Sequence, residues 1–251
     1  MNQPHKQPAV RAVALTKIYG RGEVAVRALD GVDISFAAGK FTAIMGPSGS
    51  GKSTLMHLMA GLDSATSGQA LLGDTDLTSL SDAALTKVRR DRVGFVFQSF
   101  NLLPMFTAAQ NIALPSQLAG RTLDPDWLHL LTVSFGLEDR LQHKPHELSG
   151  GQQQRAAIAR ALSTRPEVIF ADEPTGNLDS RSGTEVLAFL RRSVRELGQT
   201  VVMVTHDPTA AACADDVVLL ADGRIAGTIT DPTTDSVIAG LESLRPTVAA
   251  R

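Results

Sequence analysis

The run Gly46-Pro47-Ser48-Gly49-Ser50-Gly51-Lys52-Ser53-Thr54 sets glycines, a lysine and hydroxyls at the spacing G-x-x-x-x-G-K-[ST]. Glycines let main-chain N–H groups turn inward around an anion where a side chain would collide. The apolar run Phe41–Met45 precedes the loop and a helical pattern over Lys52–Ala60 follows it. Strand, loop and helix start are the context in which this spacing binds phosphate. The helix adds the positive end of its dipole. In such a loop Lys52 bridges the β- and γ-phosphates and the Ser53 hydroxyl ligates Mg2+. The chemistry expected is the binding of a nucleoside triphosphate with magnesium.

A second candidate is Val168-Ile169-Phe170-Ala171-Asp172-Glu173, four apolar residues followed by two acids. Successive side chains of a strand point to opposite faces, so two neighbouring acids can serve different targets. Asp172 would hold Mg2+ through water while Glu173 polarises the attacking water. Alone the motif is also what a polar strand end looks like. Its coupling to the phosphate loop gives it weight.

The elements that must position these residues alternate along the chain. Short β-branched runs at Val10–Leu15, Val32–Phe36, Phe41–Met45, Val93–Val96, Val168–Ala171, Val201–Val204 and Val217–Leu220 predict strands. The later ones are continuously apolar, as in a parallel sheet buried on both faces. Helical stretches such as Gln152–Leu162 and Arg181–Leu197 lie between them, which predicts an α/β layered core. Asp30-Gly31 and Ala38-Gly39-Lys40 separate the first strands by turns short enough for antiparallel pairing, so a small antiparallel β-region is expected beside the mostly parallel sheet. Strand signals vanish from Thr107 to Arg165, and helical patterns start behind Thr107 and Asp124-Pro125. A helical subdomain over about 98–164, inserted in a core spanning 8–232, accounts for this. From Asp231 onward proline, threonine and alanine dominate, which predicts a loosely held tail over 233–251.

Bulk composition narrows the function classes. The 251 residues are 43% hydrophobic and 20% charged, ordinary for a globular chain and too apolar for disorder. A net charge of -2 gives no argument for a nucleic-acid partner or an anionic surface. The one cysteine, Cys213, excludes an internal disulfide framework, fits a reducing compartment and sits in an alanine-rich stretch where a small buried residue is expected. No apolar run approaches the roughly 20 residues that cross a bilayer, and Met1–Pro8 is polar without the apolar segment of a signal peptide. The expectation is an intracellular protein that meets a membrane only through a partner. His5, His57, His129, His143 and His146 lack ligand-like spacing, so no zinc site is expected.

With Leu148-Ser149-Gly150-Gly151-Gln152-Gln153-Gln154-Arg155 included, the chain resembles an ATP-binding cassette (ABC) ATPase from about Val10 to Ile229, with motifs in the family order. The resemblance implies a P-loop fold of ABC type, ATP and Mg2+ as ligands, and two copies closing head-to-tail on two ATP molecules. Ser149, Gly150, Gly151 and Gln152 would clamp the γ-phosphate held by the other copy. Tyr19 is similar to the aromatic that stacks on adenine. Gln98 resembles the glutamine that reaches Mg2+ and the attacking water. Asn177-Leu178-Asp179 resembles the loop crossing the dimer interface, and His206 the histidine that contacts γ-phosphate.

Within the family, Ala171–Asp179 and Gln98–Pro104 resemble the cassettes of lipoprotein-release, macrolide-efflux and FtsE-like cell-division transporters. That implies a separate membrane permease as partner, a cytoplasmic position on the inner face of the membrane, and export or release of a substrate. One departure is Gln110-Asn111, where relatives usually carry glutamate before the asparagine; a charge near the expected permease groove is replaced. Other functions fit less well. A ribosome-acting cassette protein usually has two cassettes on one chain, a chromosome-maintenance ATPase splits its cassette with a long coiled coil, and a non-hydrolysing subunit would lack the base, magnesium ligand or switch residue.

Overall fold

In this computed structural model, which describes residues 8–244, the first β-branched run becomes β1 (Pro8–Tyr19). It pairs antiparallel with β2 (Val26–Ala37) and β4 (Ser67–Leu72), and β5 (Thr75–Asp76) completes a sheet in the order β2-β1-β4-β5. The expected antiparallel region is present, but its turn is not where the dipeptide signal put it. Asp30-Gly31 lies inside β2, and the chain reverses at residues 20–25. Between the pairs Leu15↔Val32 and Lys17↔Leu29 the register gains a residue on β2. Gly31, with φ 61°, takes up this bulge, and its N–H goes to Thr16 Oγ1 at 3.0 Å.

The turn at Ala38-Gly39-Lys40 likewise closes no hairpin. It leads into β3 (Phe41–Met45), which is buried at every position and pairs parallel with β9 (Asp216–Ala221). The strand β10 (Arg224–Thr230) runs antiparallel to β9, its alternate residues exposed. On these strands pack α1 (Lys52–Met59), against β1, β2 and β4, and α7 (Pro208–Ala211), against β3. The expected tail is in part helical: Thr233 caps α8 (Thr234–Ser243), which packs on β9, β10 and α7 and buries Val237. Cys213, expected to be buried, is half-buried, its thiol directed at the Thr209 carbonyl. All of these elements belong to one compact unit, Met1–Ser79 with Val204–Arg251. The polar start before Pro8, with His5, and the last part of the expected tail, 245–251, lie outside the described residues.

Leu80–Met203 forms a second unit. It carries β6 (Val93–Phe97), β7 (Val168–Asp172) and β8 (Val201–Val204) in the order β8-β7-β6. Strands β6 and β7 are parallel, with Val93↔Val168 at one end and Phe97↔Asp172 at the other. Around them lie α2 (Asp82–Arg92), α3 (Ala108–Leu118), α4 (Pro125–Ser134), α5 (Gly150–Leu162) and α6 (Ser180–Leu197). Each helix starts behind a residue whose side chain accepts a main-chain N–H: Ser81, Thr107, Asp124, Ser149 and Asp179. Helix α6 buries Gly183, Val186, Leu187, Leu190, Ser193 and Val194, the spacing of one helical face. Helix α5 lies so close to β6 that a Cβ at Gly94 would stand 2.7 Å from the Ala161 carbonyl oxygen.

Candidate functional site

In the first unit the loop Gly46–Gly51 leaves the end of β3 and closes on the start of α1. Gly46 has φ 155°, and a Cβ there would stand 1.9 Å from the Leu220 carbonyl oxygen. Gly51, at φ 100°, would put a Cβ 2.4 Å from the Ala28 carbonyl oxygen. Glycine is therefore required at both ends of the loop, for space as well as conformation. The Ser50 N–H donates to Pro47 O at 3.2 Å, and Ser50 O accepts from the Gly223 N–H at 3.1 Å. Inside this curl the Lys52 ammonium donates to the carbonyls of Gly46 (2.9 Å) and Pro47 (2.8 Å). The Ser50 hydroxyl is buried without a hydrogen-bond partner. The first turn of α1 holds no acid. A main-chain cradle with a cation at its mouth and no competing carboxylate fits phosphate oxygens.

Tyr19 stands beside α1. Its hydroxyl donates to Asp63 Oδ2 at 2.7 Å and accepts a hydrogen bond from the Thr54 side chain. Burial and the bond to Asp63 raise the Tyr19 pKa above its ordinary value, so it remains a phenol at neutral pH. The Lys17 ammonium reaches Asp63 Oδ1 at 2.7 Å and Ser64 O at 2.6 Å, and lies 4.7 Å from the Tyr19 ring centroid. Burial opposes ionisation of Asp63, but hydrogen bonds from Lys17 and Tyr19 outweigh it and its pKa falls below the ordinary carboxylate value. One ring face of Tyr19 is thus covered by a cation, while the residue is 43% exposed. Ser53 and His206 are exposed. The residue before His206, Thr205, donates its N–H to Ile44 O at 3.3 Å, which sets His206 near the point where β3 gives way to the loop.

In the second unit the parallel register carries the geometry. Because Phe97 stands opposite Asp172, Gln98 and Glu173 leave adjacent strands at the same end. Gln98 Nε2 donates to Asn177 Oδ1, and Asn177 Nδ2 returns a bond to Gln98 O, both at 3.1 Å. A Cβ at Gly176 would stand 2.6 Å from Gln98 Nε2. Glu173 has φ 47°, an uncommon left-handed conformation for a side-chain-bearing residue. Such strain is held where the surroundings over-determine it, often at functional sites.

Ser149 and Gln152 form a reciprocal cap on α5: the Ser149 N–H donates to Gln152 Oε1 at 2.9 Å and the Gln152 N–H to Ser149 Oγ at 3.3 Å. A Cβ at Gly151 would stand 3.0 Å from Ser182 Oγ and one at Gly150 3.3 Å from a Leu178 methyl. These glycines therefore also let α5 approach the start of α6. Asp179 caps α6 through bonds from the Ser182 N–H and hydroxyl, which lower its pKa.

The residue that departs from the family pattern has a local task. Gln110 Oε1 accepts the Thr107 N–H at 2.8 Å as the return arm of a capping box, a reach that glutamate makes equally well. Buried Asn111 accepts the Leu103 N–H and donates to the carbonyls of Leu103, Phe106 and Thr107. It shapes the loop that exposes Leu103 and Met105. Lys17 and Asp63 are absent from the residues the sequence singles out, and Asn111 is there only as the neighbour of Gln110. Lys17 lies two residues before Tyr19 on the same strand, a spacing that puts both side chains on one face; Asp63 is distant in sequence and carries no local signal.

The phosphate loop, Thr54, Tyr19 and His206 thus belong to one unit, and Gln98, Ser149–Gln152, Asp172, Glu173 and Asp179 to the other. Residues 29–176 match the model of the ABC transporter family. The lipoprotein-releasing system ATP-binding protein LolD of Anaeromyxobacter dehalogenans is 46% identical over 229 residues, 90% of this chain and 95% of that protein. The macrolide export ATP-binding/permease protein MacB of Marinobacter nauticus is 45% identical over 223 residues, 87% of this chain; the chain spans only 34% of that longer relative. A dimeric post-hydrolysis structure of the ATP-binding cassette MJ0796, bound to ADP and Pi, superposes with a TM-score of 0.79 at 40% identity, covering 89% of this chain and 99% of that one.

Proposed function

The chain belongs to the ABC transporter family as one of its ATP-binding, ATP-hydrolysing cassettes, and from that premise we propose that two copies close on ATP to drive a separate membrane permease. The observation that carries the hydrolytic part is the β6–β7 register, by which Gln98 and Glu173 leave neighbouring strands at the same end. Lys52 would exchange the carbonyls of Gly46 and Pro47 for phosphate oxygens. The cradle Gly46–Thr54 would hold the phosphates, and Tyr19 would stack on adenine with the ring face opposite Lys17. Ser53, Gln98 and Asp172 offer oxygen donors alone, which suits Mg2+, and the ion would neutralise charge on the phosphates. Glu173 would take the proton of the attacking water, with His206 contacting the γ-phosphate.

The second copy would supply Ser149–Gln152 to each site, with Asp179 at the interface. The phosphates would then bridge two sets of positive main-chain dipoles, and hydrolysis would weaken that bridge. The exposed Leu103 and Met105 on the loop after β6 suit contact with a permease. Among the described residues no helix is long and apolar enough to cross a membrane. The reading places the chain on the inner face of the membrane, held by the permease. The names of the relatives LolD and MacB favour release or export as the direction. In Glu173→Gln, ATP binding is expected to persist while turnover falls by about 100-fold or more. A steady-state ATPase rate near that of the unaltered protein overturns the assignment.

A further inference from the structure

One buried side chain that the site above does not use joins three of its parts. Gln154, on α5, has no exposed surface. Its Nε2 donates to Pro174 O at 2.6 Å and to Phe97 O at 3.3 Å. Phe97 is the residue before Gln98, and Pro174 the residue after Glu173. An amide carries two N–H donors, and both are spent on the main chain at the exits of β6 and β7. Two carbonyl neighbours also fix which way the amide faces, since only its nitrogen can donate to them. Its oxygen is left buried without a partner. A methionine would fill the space without burying an unpartnered amide oxygen, so filling space does not by itself account for a glutamine here; what the amide adds is its pair of donors to the two carbonyls.

The same helix grips the loop again further along. The Arg160 guanidinium donates to the carbonyls of Phe100 (3.0 Å) and Asn101, two consecutive residues at φ 57° and 51°. Helix α5 begins at the Ser149 cap, five residues before Gln154. The three segments of this unit that carry proposed functional groups are therefore tied to one helix by donors that are buried or half-buried.

We propose that Gln154 is a positioning residue: it locks the exits of β6 and β7 to the glycine-rich start of α5, so that Gln98, Glu173 and Ser149 hold fixed mutual positions. The inference rests on the reading that Glu173 and Gln98 act on the attacking water. Misplacing a reacting group by about 1 Å can cost on the order of 100-fold in rate. Nucleotide affinity should change little, because most of the proposed nucleotide contacts, the phosphate cradle and Tyr19, belong to the other unit.

Gln199 supplies a matched control. It too is buried, and its Nε2 donates to two carbonyls of the same unit, Pro166 (3.0 Å) and Thr200 (3.3 Å), neither of them in the three loops. Steady-state ATPase and thermal melting would be compared for Gln154→Met, Gln154→Glu, Gln199→Met and Glu173→Gln. Both Gln154 variants are expected to lose about 10- to 100-fold in kcat with KM for ATP within about threefold. Gln199→Met is expected to keep kcat within about twofold at a similar loss of Tm. The inference is overturned if Gln154→Met loses no more kcat than Gln199→Met, or if KM rises in its place. It is also overturned if neither Gln154 variant folds while Gln199→Met does, which leaves Gln154 a role in stability alone. A Glu173→Gln enzyme that turns over at the unaltered rate refutes the reading of the site itself, and this inference with it.

Discussion

Gly46→Ala is the most direct test of how the phosphate loop is built. The added Cβ would lie 1.9 Å from Leu220 O and 2.9 Å from Ser50 Oγ. An ordinary C···O contact is about 3.3 Å, so relief from the 1.9 Å approach requires a movement of roughly 1.4 Å. The serine side chain can turn away, but the carbonyl cannot. Leu220 belongs to β9, which is flanked by β3 on one side and paired through Ile225 of β10 on the other. Overpacking a tight interior costs about 1–3 kcal/mol, and a collision of main chain with main chain belongs at the upper end. For a chain of this size that corresponds to a fall in Tm of about 6–12 °C. Gly49→Ala is the internal control, because Gly49 has φ 78° but nothing within 4 Å of its would-be Cβ. It carries only the left-handed penalty of about 1–2 kcal/mol, offset by about 0.4–1 kcal/mol from the stiffer unfolded chain. Its Tm should fall by no more than about 6 °C. Thermal denaturation of both variants without nucleotide measures the difference, and a fluorescent ATP analogue reports whether Gly46→Ala has also lost the converging N–H groups. Equal Tm losses in the two variants, or a Gly46→Ala melt within about 2 °C of the unaltered protein, would refute the argument.

Two further outcomes are expected. Ser149→Arg, made in the Glu173→Gln background, should bind ATP but fail to dimerise on it, because the side chain fills the helix start offered to the second copy; an unchanged ATP-bound dimer on size exclusion counts against the shared site. Lys17→Met should lower stability in a pH-dependent way. Asp63 is held below its ordinary pKa by Lys17 and Tyr19 against the opposing effect of burial, so its contribution is present above about pH 4 and is lost as pH falls through the folded value. The gap in urea midpoint between Lys17→Met and the unaltered protein should therefore be widest near pH 7 and shrink as pH falls below about 4; a gap that stays constant with pH removes the charge-based account.

Sequence alone determined the features whose causes are local. The strand, glycine loop and helix start from Phe41 to Met59 depend on residues within a few positions of one another, as do the helix starts behind Thr107 and Asp124. The β-branched runs likewise announced most of the buried strands. Local signals misled where a tertiary partner took precedence. Asp30-Gly31 carries a turn signature yet serves as a bulge, because β1 pairs along the whole length of β2. The stretch after residue 233 looks like a tail by composition, but its Val237 finds cover and the segment winds into α8. Only the tertiary structure decided why Gly46 must be glycine, since the atom that forbids a side chain is the carbonyl of Leu220, far along the chain. It also decided that Asp63 and Lys17 orient Tyr19, that Gln98 and Glu173 leave neighbouring strands together, and that one glutamine of the run Gln152-Gln153-Gln154 holds both exits. The physical reason is the same in each case: strand register and main-chain hydrogen bonding join residues that no sequence spacing links.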